Sequence, residues 1–178
     1  MHSFQLISLL ICFIFVSCGE NPKSSQKPVV TEFDQTKIKN QFVEANKQLL
    51  KKENDEIDYY VKTHTDVYKS TNSGIRFSIS KSSVKGDSIR MNTLVSINYT
   101  LSLLTGDVCY FSQPSEPKQL VVGNDEAESG LHRGLQFFKK GDKGKLIIPS
   151  YLAHGLLGDF KKIPPQMPII YEIEILPN

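Results

Sequence analysis

The chain has 178 residues, of which 39% are apolar and 22% charged, and its formal net charge is +2. That composition excludes a mostly disordered chain, and the small charge gives no general drive toward nucleic acid. The length allows one ordinary domain and an accessory segment. Lysines cluster locally in "KKGDKGK" (Lys139 to Lys145) and at Lys161–Lys162. Such short runs read as solvated turns, so no nucleic-acid partner is expected.

The first element is the apolar run "FQLISLLICFIFV", Phe4 to Val16. It is shorter than the roughly 20 residues a membrane-spanning helix needs, and reads as the apolar core of a secretory signal. It stops at "VSCG", Val16 to Gly19, which resembles the lipobox of bacterial lipoproteins. That resemblance implies removal of residues 1–17 as a signal peptide, with Cys18 lipidated and anchored in a membrane. The expected location is the cell envelope, lipid-anchored and facing the periplasm. The alternative is an ordinary secretory signal with a chance cysteine. The three cysteines are Cys12, Cys18 and Cys109. With the first removed and the second lipidated, Cys109 has no partner for an internal disulfide. It reads as a small buried hydrophobe and not as a reactive thiol.

Residues 18–30, anchor and polar "GENPKSSQKPVV", read as a flexible tether. Residues 31–72 read as a helical segment. Thr31 is a candidate cap, with Asp34 three residues on. Ile38, Phe42, Ala45 and Leu49 form one apolar stripe. A polar break at "KKENDE" then separates a second stripe, Ile57, Tyr60, Val61 and His64, so two helices are expected. His64 reads as a packed or half-exposed histidine, with no metal assigned. These helices are a possible homodimer surface.

After Ser73–Gly74 the apolar period changes from helical to alternating, and residues 73–178 read as one domain. "IRFSIS", "NTLVSINYTLSLL", "VCYF", "QLVV", "KLIIP" and "PIIYEIEIL" are the candidate strands. In the last, Tyr171, Ile173 and Ile175 face one way and Glu172 and Glu174 the other. "ESGLHRGLQFFKK", Glu128 to Lys140, puts Leu131, Leu135 and Phe138 on one helical face and ends at Gly141. The fold class expected is α+β: an antiparallel sheet of about five strands wrapped on one short helix, behind an N-terminal helical segment. The loop Pro149 to Pro165 carries Leu152, Ala153, His154, Leu156, Leu157, Phe160 and Ile163. So many apolar residues suggest one wall of a hydrophobic cleft, held in shape by prolines at each hinge.

The order of "SINYT", "VVGNDEAESGLHRGLQFFKKGDKGKLIIPSYLAHGLLGDFKKIPP" and "IIYEIEIL" resembles the FKBP-type peptidyl-prolyl isomerases. The carrying motifs are G-L-x-x-G-L, G-D-K, I-P-x-x-L-A-x-G and I-P-P, between roughly Asn92 and Leu176. With the lipobox and helical segment, the chain looks similar to isomerase lipoproteins associated with bacterial gliding motility.

The resemblance implies an apolar pocket for a substrate proline. Tyr99, Leu131, Ile163 and Tyr171 would line it, with His154 from the loop, and the backbone N–H of Glu128 would bind a substrate carbonyl. Where the family has an aromatic followed by an aspartate, one register gives Cys109–Tyr110 and the other Tyr110–Phe111. Neither supplies the aspartate. Two further departures are Leu131, where many members have an aromatic, and His154, where the family has a tyrosine. Taken singly, the pocket residues could equally be plain core.

The implied function is a membrane-tethered prolyl isomerase assisting the folding of exported proteins. Its partners would be proline-containing polypeptides, and it would need no cofactor or metal. The alternative is a non-catalytic binding module or chaperone using the same cleft. Little charge is expected to face the pocket. A preference for an apolar residue before the proline follows, and His154 should act as a donor or a packing wall.

Overall fold

The computed structural model describes residues 32–124 and 127–177. The signal-like run, Cys18, the tether and Thr31 lie outside the described residues. Residues 40–178 form one compact unit. Among the described residues no helix is long and apolar enough to cross a membrane.

The first element is one continuous helix, α1 (Glu32–Thr63), where two were expected. "KKENDE" does not break it, because Lys and Glu are good helix formers and Asn and Asp only modest ones. Lys51–Asp55 (2.6 Å) and Lys52–Glu56 (3.7 Å) pair one turn apart across that stretch. The two apolar stripes also differ in fate. Phe42 and Leu49 are exposed, whereas Ile57 is fully buried.

The strands are β1 (Lys69–Ser70), β2 (Arg76–Lys81), β3 (Leu94–Leu103), β4 (Val108–Phe111), β5 (Lys118–Val121), β6 (Lys143–Ile148) and β7 (Ile169–Ile175). They make a seven-stranded sheet in the order β1-β2-β6-β7-β3-β4, with β5 also paired to β3. All pairs are antiparallel. The count exceeds five because β3 is long enough to carry both β4 and β5 on one edge, and because the two-residue β1 extends the opposite end. The second helix, α2 (Ser129–Leu135), is shorter than its apolar pattern suggested. Its end tightens into i→i+3 bonds, Phe137 N–H to Gly134 and Phe138 N–H to Leu135. The chain beyond is gathered by Asp142, 1% exposed, whose carboxylate accepts from the N–H groups of Lys139 (2.8 Å) and Ser83 (2.6 Å).

The pleat sorts residues between two faces. Leu146, Ile148, Ile169, Tyr171, Ile173 and Ile175 join Leu131, Leu135 and Phe138 of the α2 segment in the main core. The G-L-x-x-G-L glycines explain how close α2 comes. A Cβ on Gly130 would collide with Ile148, and one on Gly134 would sit 2.6 Å from Leu146 Cδ1. On the other face, Ile147 and Ile170 pack under Ile57, with Tyr60, Val61, Tyr68 and Leu104 around them.

Candidate active site

The loop after β6 is built from local hydrogen bonds. Ser150–Leu152 forms a single 3-10 turn, and the Ser150 carbonyl accepts from Ala153 (2.9 Å) and Gly155 (2.8 Å). Gly155 and Gly158 both have positive φ, 63° and 68°. Such bends favour glycine, which has no side chain to clash. The loop was expected to present all its apolar residues to one cleft wall. It does not: Leu152 and Ile163 turn inward at 7% and 2% exposure, while Leu156, Leu157 and Phe160 stand at 65%, 65% and 83%. One loop cannot point seven side chains the same way through so tight a bend. Leu157 and Phe160 stand beside Pro164 and Pro165, and Leu156 faces the groove against α1.

Three elements converge at the inner end of the loop. Tyr171 reaches in from β7, Glu128 from the turn before α2, and His154 from the loop. The Tyr171 hydroxyl donates to the Glu128 carboxylate, 3.0 Å from each oxygen. His154 Nε2 lies 3.1 Å from Glu128 Oε1, an approach that does not make an aligned hydrogen bond. Tyr99 from β3 completes the group, its ring centroid 5.5 Å from that of Tyr171. Burial pushes the Tyr171 phenol well above the ordinary tyrosine range, and the Glu128 carboxylate pushes it further. Tyr99 is raised by the same two causes. Both phenols therefore stay neutral donors through the physiological range.

Leu131 and Ile163 lie in the core beneath, 0% and 2% exposed. The pocket was also expected to face little charge. The Glu128 side chain overturns that: as the residue before a two-turn helix it makes no capping bond and turns instead to Tyr171 and His154.

Tyr110 is the residue common to both registers of β4. It pairs with Leu101 and donates its hydroxyl to Asp159 of the loop. Cys109 is buried, and burial pushes its thiol up. Phe111 is 59% exposed. Asp159 was missed in the sequence, yet it brings a carboxylate beside the β4 aromatic, where the strand itself has none. Asp159 Oδ1 accepts from the N–H groups of Lys161 (2.9 Å), Lys162 (2.9 Å) and Ile163 (2.8 Å). Burial alone would raise the Asp159 carboxyl. The Tyr110 hydroxyl and those three N–H groups outweigh it and hold the carboxyl well below the usual range. The same bond pushes Tyr110 up to about 12. Lys162 adds a second tie, donating from Nζ to the Cys109 carbonyl at 2.8 Å. The loop is therefore fastened to β4 at one end.

At the other end α1 holds it. The Glu53 carboxylate, 8% exposed, accepts from the Ser150 hydroxyl (2.7 Å) and from the Ser150 backbone N–H. His64 is remote from this group; it is exposed and stacks on Tyr60 at 3.7 Å. Among the described residues no cluster of three or more His, Cys, Asp or Glu is placed to hold a metal ion.

Known proteins resemble this chain in sequence and fold. The family model described as FKBP-type peptidyl-prolyl cis-trans isomerase matches residues 85–176, just over half of the chain. A probable FKBP-type peptidyl-prolyl cis-trans isomerase of Haemophilus influenzae is 33% identical over 108 residues, 61% of this chain and 44% of that protein. The chain thus spans less than half the length of that curated relative. The crystal structure of FkpA from Escherichia coli superposes with a TM-score of 0.60 at 25% identity, covering 82% of this chain and 72% of that one. A peptidyl-prolyl cis-trans isomerase from Pseudomonas syringae gives 0.62 at 26% identity, covering 73% and 92%. With that family model matching more than half of its length, the chain belongs to the FKBP-type peptidyl-prolyl cis-trans isomerase family.

Proposed function

We propose that the chain is a peptidyl-prolyl cis-trans isomerase that acts on proline-containing polypeptides and, tethered to a membrane through Cys18, assists the folding of exported proteins. The observation that carries the enzymatic reading is the family match over the segment that builds the cleft, from β3 through the loop to β7. Isomerisation breaks no covalent bond. Its barrier of about 18–20 kcal/mol is lost amide resonance. A cleft that binds the twisted amide better than the planar one lowers that barrier, and a thousandfold acceleration needs about 4 kcal/mol. Tyr99, Leu131, Ile163 and Tyr171 would hold the proline ring, and the Glu128 N–H would bind the substrate carbonyl. Isomer exchange on a Xaa-Pro peptide, measured with purified protein lacking Met1 to Ser17, tests this. Exchange no faster than the uncatalysed peptide sinks it.

A binding module is the second reading, favoured by the low exposure of Leu131, Ile163 and Tyr171. It expects capture of unfolded chains without turnover, engaging the exposed Leu156, Leu157 and Phe160.

The tether reading rests on the "VSCG" pattern, and a similarity to gliding-motility lipoproteins rests on it together with the helical segment. Cys18→Ser should leave the signal unprocessed. A variant that is cleaved and fractionates with membranes as before removes the anchor from Cys18. Dimerisation through the N-terminal helix α1 is supported by its exposed Phe42, Val43 and Tyr59. Sedimentation of Phe42→Ser against the parent chain tests it, with a shift to monomer expected.

A further inference from the structure

The Glu128 carboxylate has an unusual setting. Its side chain is 12% exposed, and it stands among Tyr99, Tyr171 and His154, over the apolar floor made by Leu131. Tyr171 satisfies it as a hydrogen-bond acceptor but brings no charge. Its ion-pair partner among the described residues is His154, which is charged only when protonated. Lys118 Nζ lies 6.0 Å from the Tyr99 ring centroid and makes no ion pair with Glu128 within 4 Å. A carboxylate drawn out of water without a fixed cation is costly, and an incoming cation relieves that cost.

We infer that Glu128 makes the cleft selective for a cationic residue, lysine or arginine, directly adjacent to the proline. The inference rests on the isomerase reading of the same cleft and names the substrate class it takes. The proline ring needs an apolar floor, which the core residues supply. A neighbouring lysine would carry its ammonium on a flexible four-carbon stem, and an arginine would pair with the carboxylate through two parallel N–H groups. A neighbouring glutamate would meet the like charge of Glu128. This reverses the apolar preference expected from pocket composition alone.

The test uses the purified full chain and three sets of otherwise identical peptides, with Lys, Leu or Glu before or after the proline. Isomer exchange is followed by NMR, and binding of the same peptides by calorimetry. Lys peptides should exceed Glu peptides about tenfold in kcat/KM at low salt, since a partly buried charge pair outweighs an exposed one. The ratio should shrink at high salt. Glu128→Gln should bring the Lys and Glu peptides together. If wild-type exchange is fast and equal for all three residues, the selectivity is overturned and the isomerase reading stands. If no peptide exchanges, the isomerase reading fails, and the calorimetric order alone decides the selectivity: equal affinities overturn it and a Lys-first order supports it. Should Glu128→Gln fail to fold, the salt dependence of the wild-type ratio decides, and a salt-independent ratio overturns the inference.

Discussion

Leu131 shows how a residue can belong to a site and to a core together. It is fully buried beside Leu135. Leu131→Ala should cost about 2–5 kcal/mol of stability, the usual cost of deleting a buried leucine side chain, read from urea unfolding. Leu131→Lys should fail to accumulate as folded protein, because its charge has no partner in that core. A folded, cooperatively melting Leu131→Lys would mean that the site opens far more easily than its burial implies. Asp159 makes the opposite kind of contribution, through charge. Its folded pKa lies below the unfolded value of about 4, so its stabilisation is present in full above about pH 5 and is lost as pH falls through the folded value. The stability gap between the wild type and Asp159→Asn should therefore be flat from pH 5 to 8 and narrow below about pH 4. A gap that stays constant down to pH 2 would show that the carboxylate charge contributes nothing. Tyr171 was legible in the sequence because alternation along a strand fixes its face. The Glu128 and Asp159 side chains were not, since their partners lie 43 and 49 residues away and no local pattern records such pairs.

At the scale of elements, β2, β3, β6 and β7 were read to within about two residues. β2, β3 and β7 alternate, β6 is an apolar run buried on both faces and closed by Pro149, and glycine, proline or asparagine stands near an end of each. Helix α1 was misjudged for an equally physical reason. Periodicity marks where apolar residues lie but not whether a polar stretch ends a helix, and here the polar stretch carries the contact that matters. Glu53, within "KKENDE", is the buried acceptor for Ser150, and Asp58 pairs with Arg76 at 2.8 Å. Glu53→Ala should destabilise the protein by about 2–3 kcal/mol, because it removes a charged acceptor and leaves two Ser150 donors unpaired. Hydrogen exchange should show the loss concentrated in residues 150–155. Uniform loss across the sheet would instead mean that Glu53 supports the whole domain and not the loop.

For the whole molecule, the question is whether residues 73–178 stand alone. Their main core closes without α1: the sheet wraps α2, and every large residue of that core comes from position 75 onward. A core of this kind is enough for cooperative folding. The other face of the sheet is incomplete, because Ile147 and Ile170 are covered by Ile57. Removing residues 1–72 uncovers them, at about 1.5–3 kcal/mol for each side chain fully returned to water. It also leaves Ser150 without Glu53 and Arg76 without Asp58. Against a total of about 5–15 kcal/mol for a domain, these losses remove a large part of the stability. The fragment should melt in one cooperative step, at least about 10 °C below the full chain, given the roughly 4–8 °C that each kcal/mol moves a domain of this size. A fragment without a cooperative transition makes α1 an integral part of the fold and refutes the boundary. A fragment that melts with the full chain shows that the Ile57 and Glu53 contacts add no stability, and the coupling of α1 to the loop falls with them.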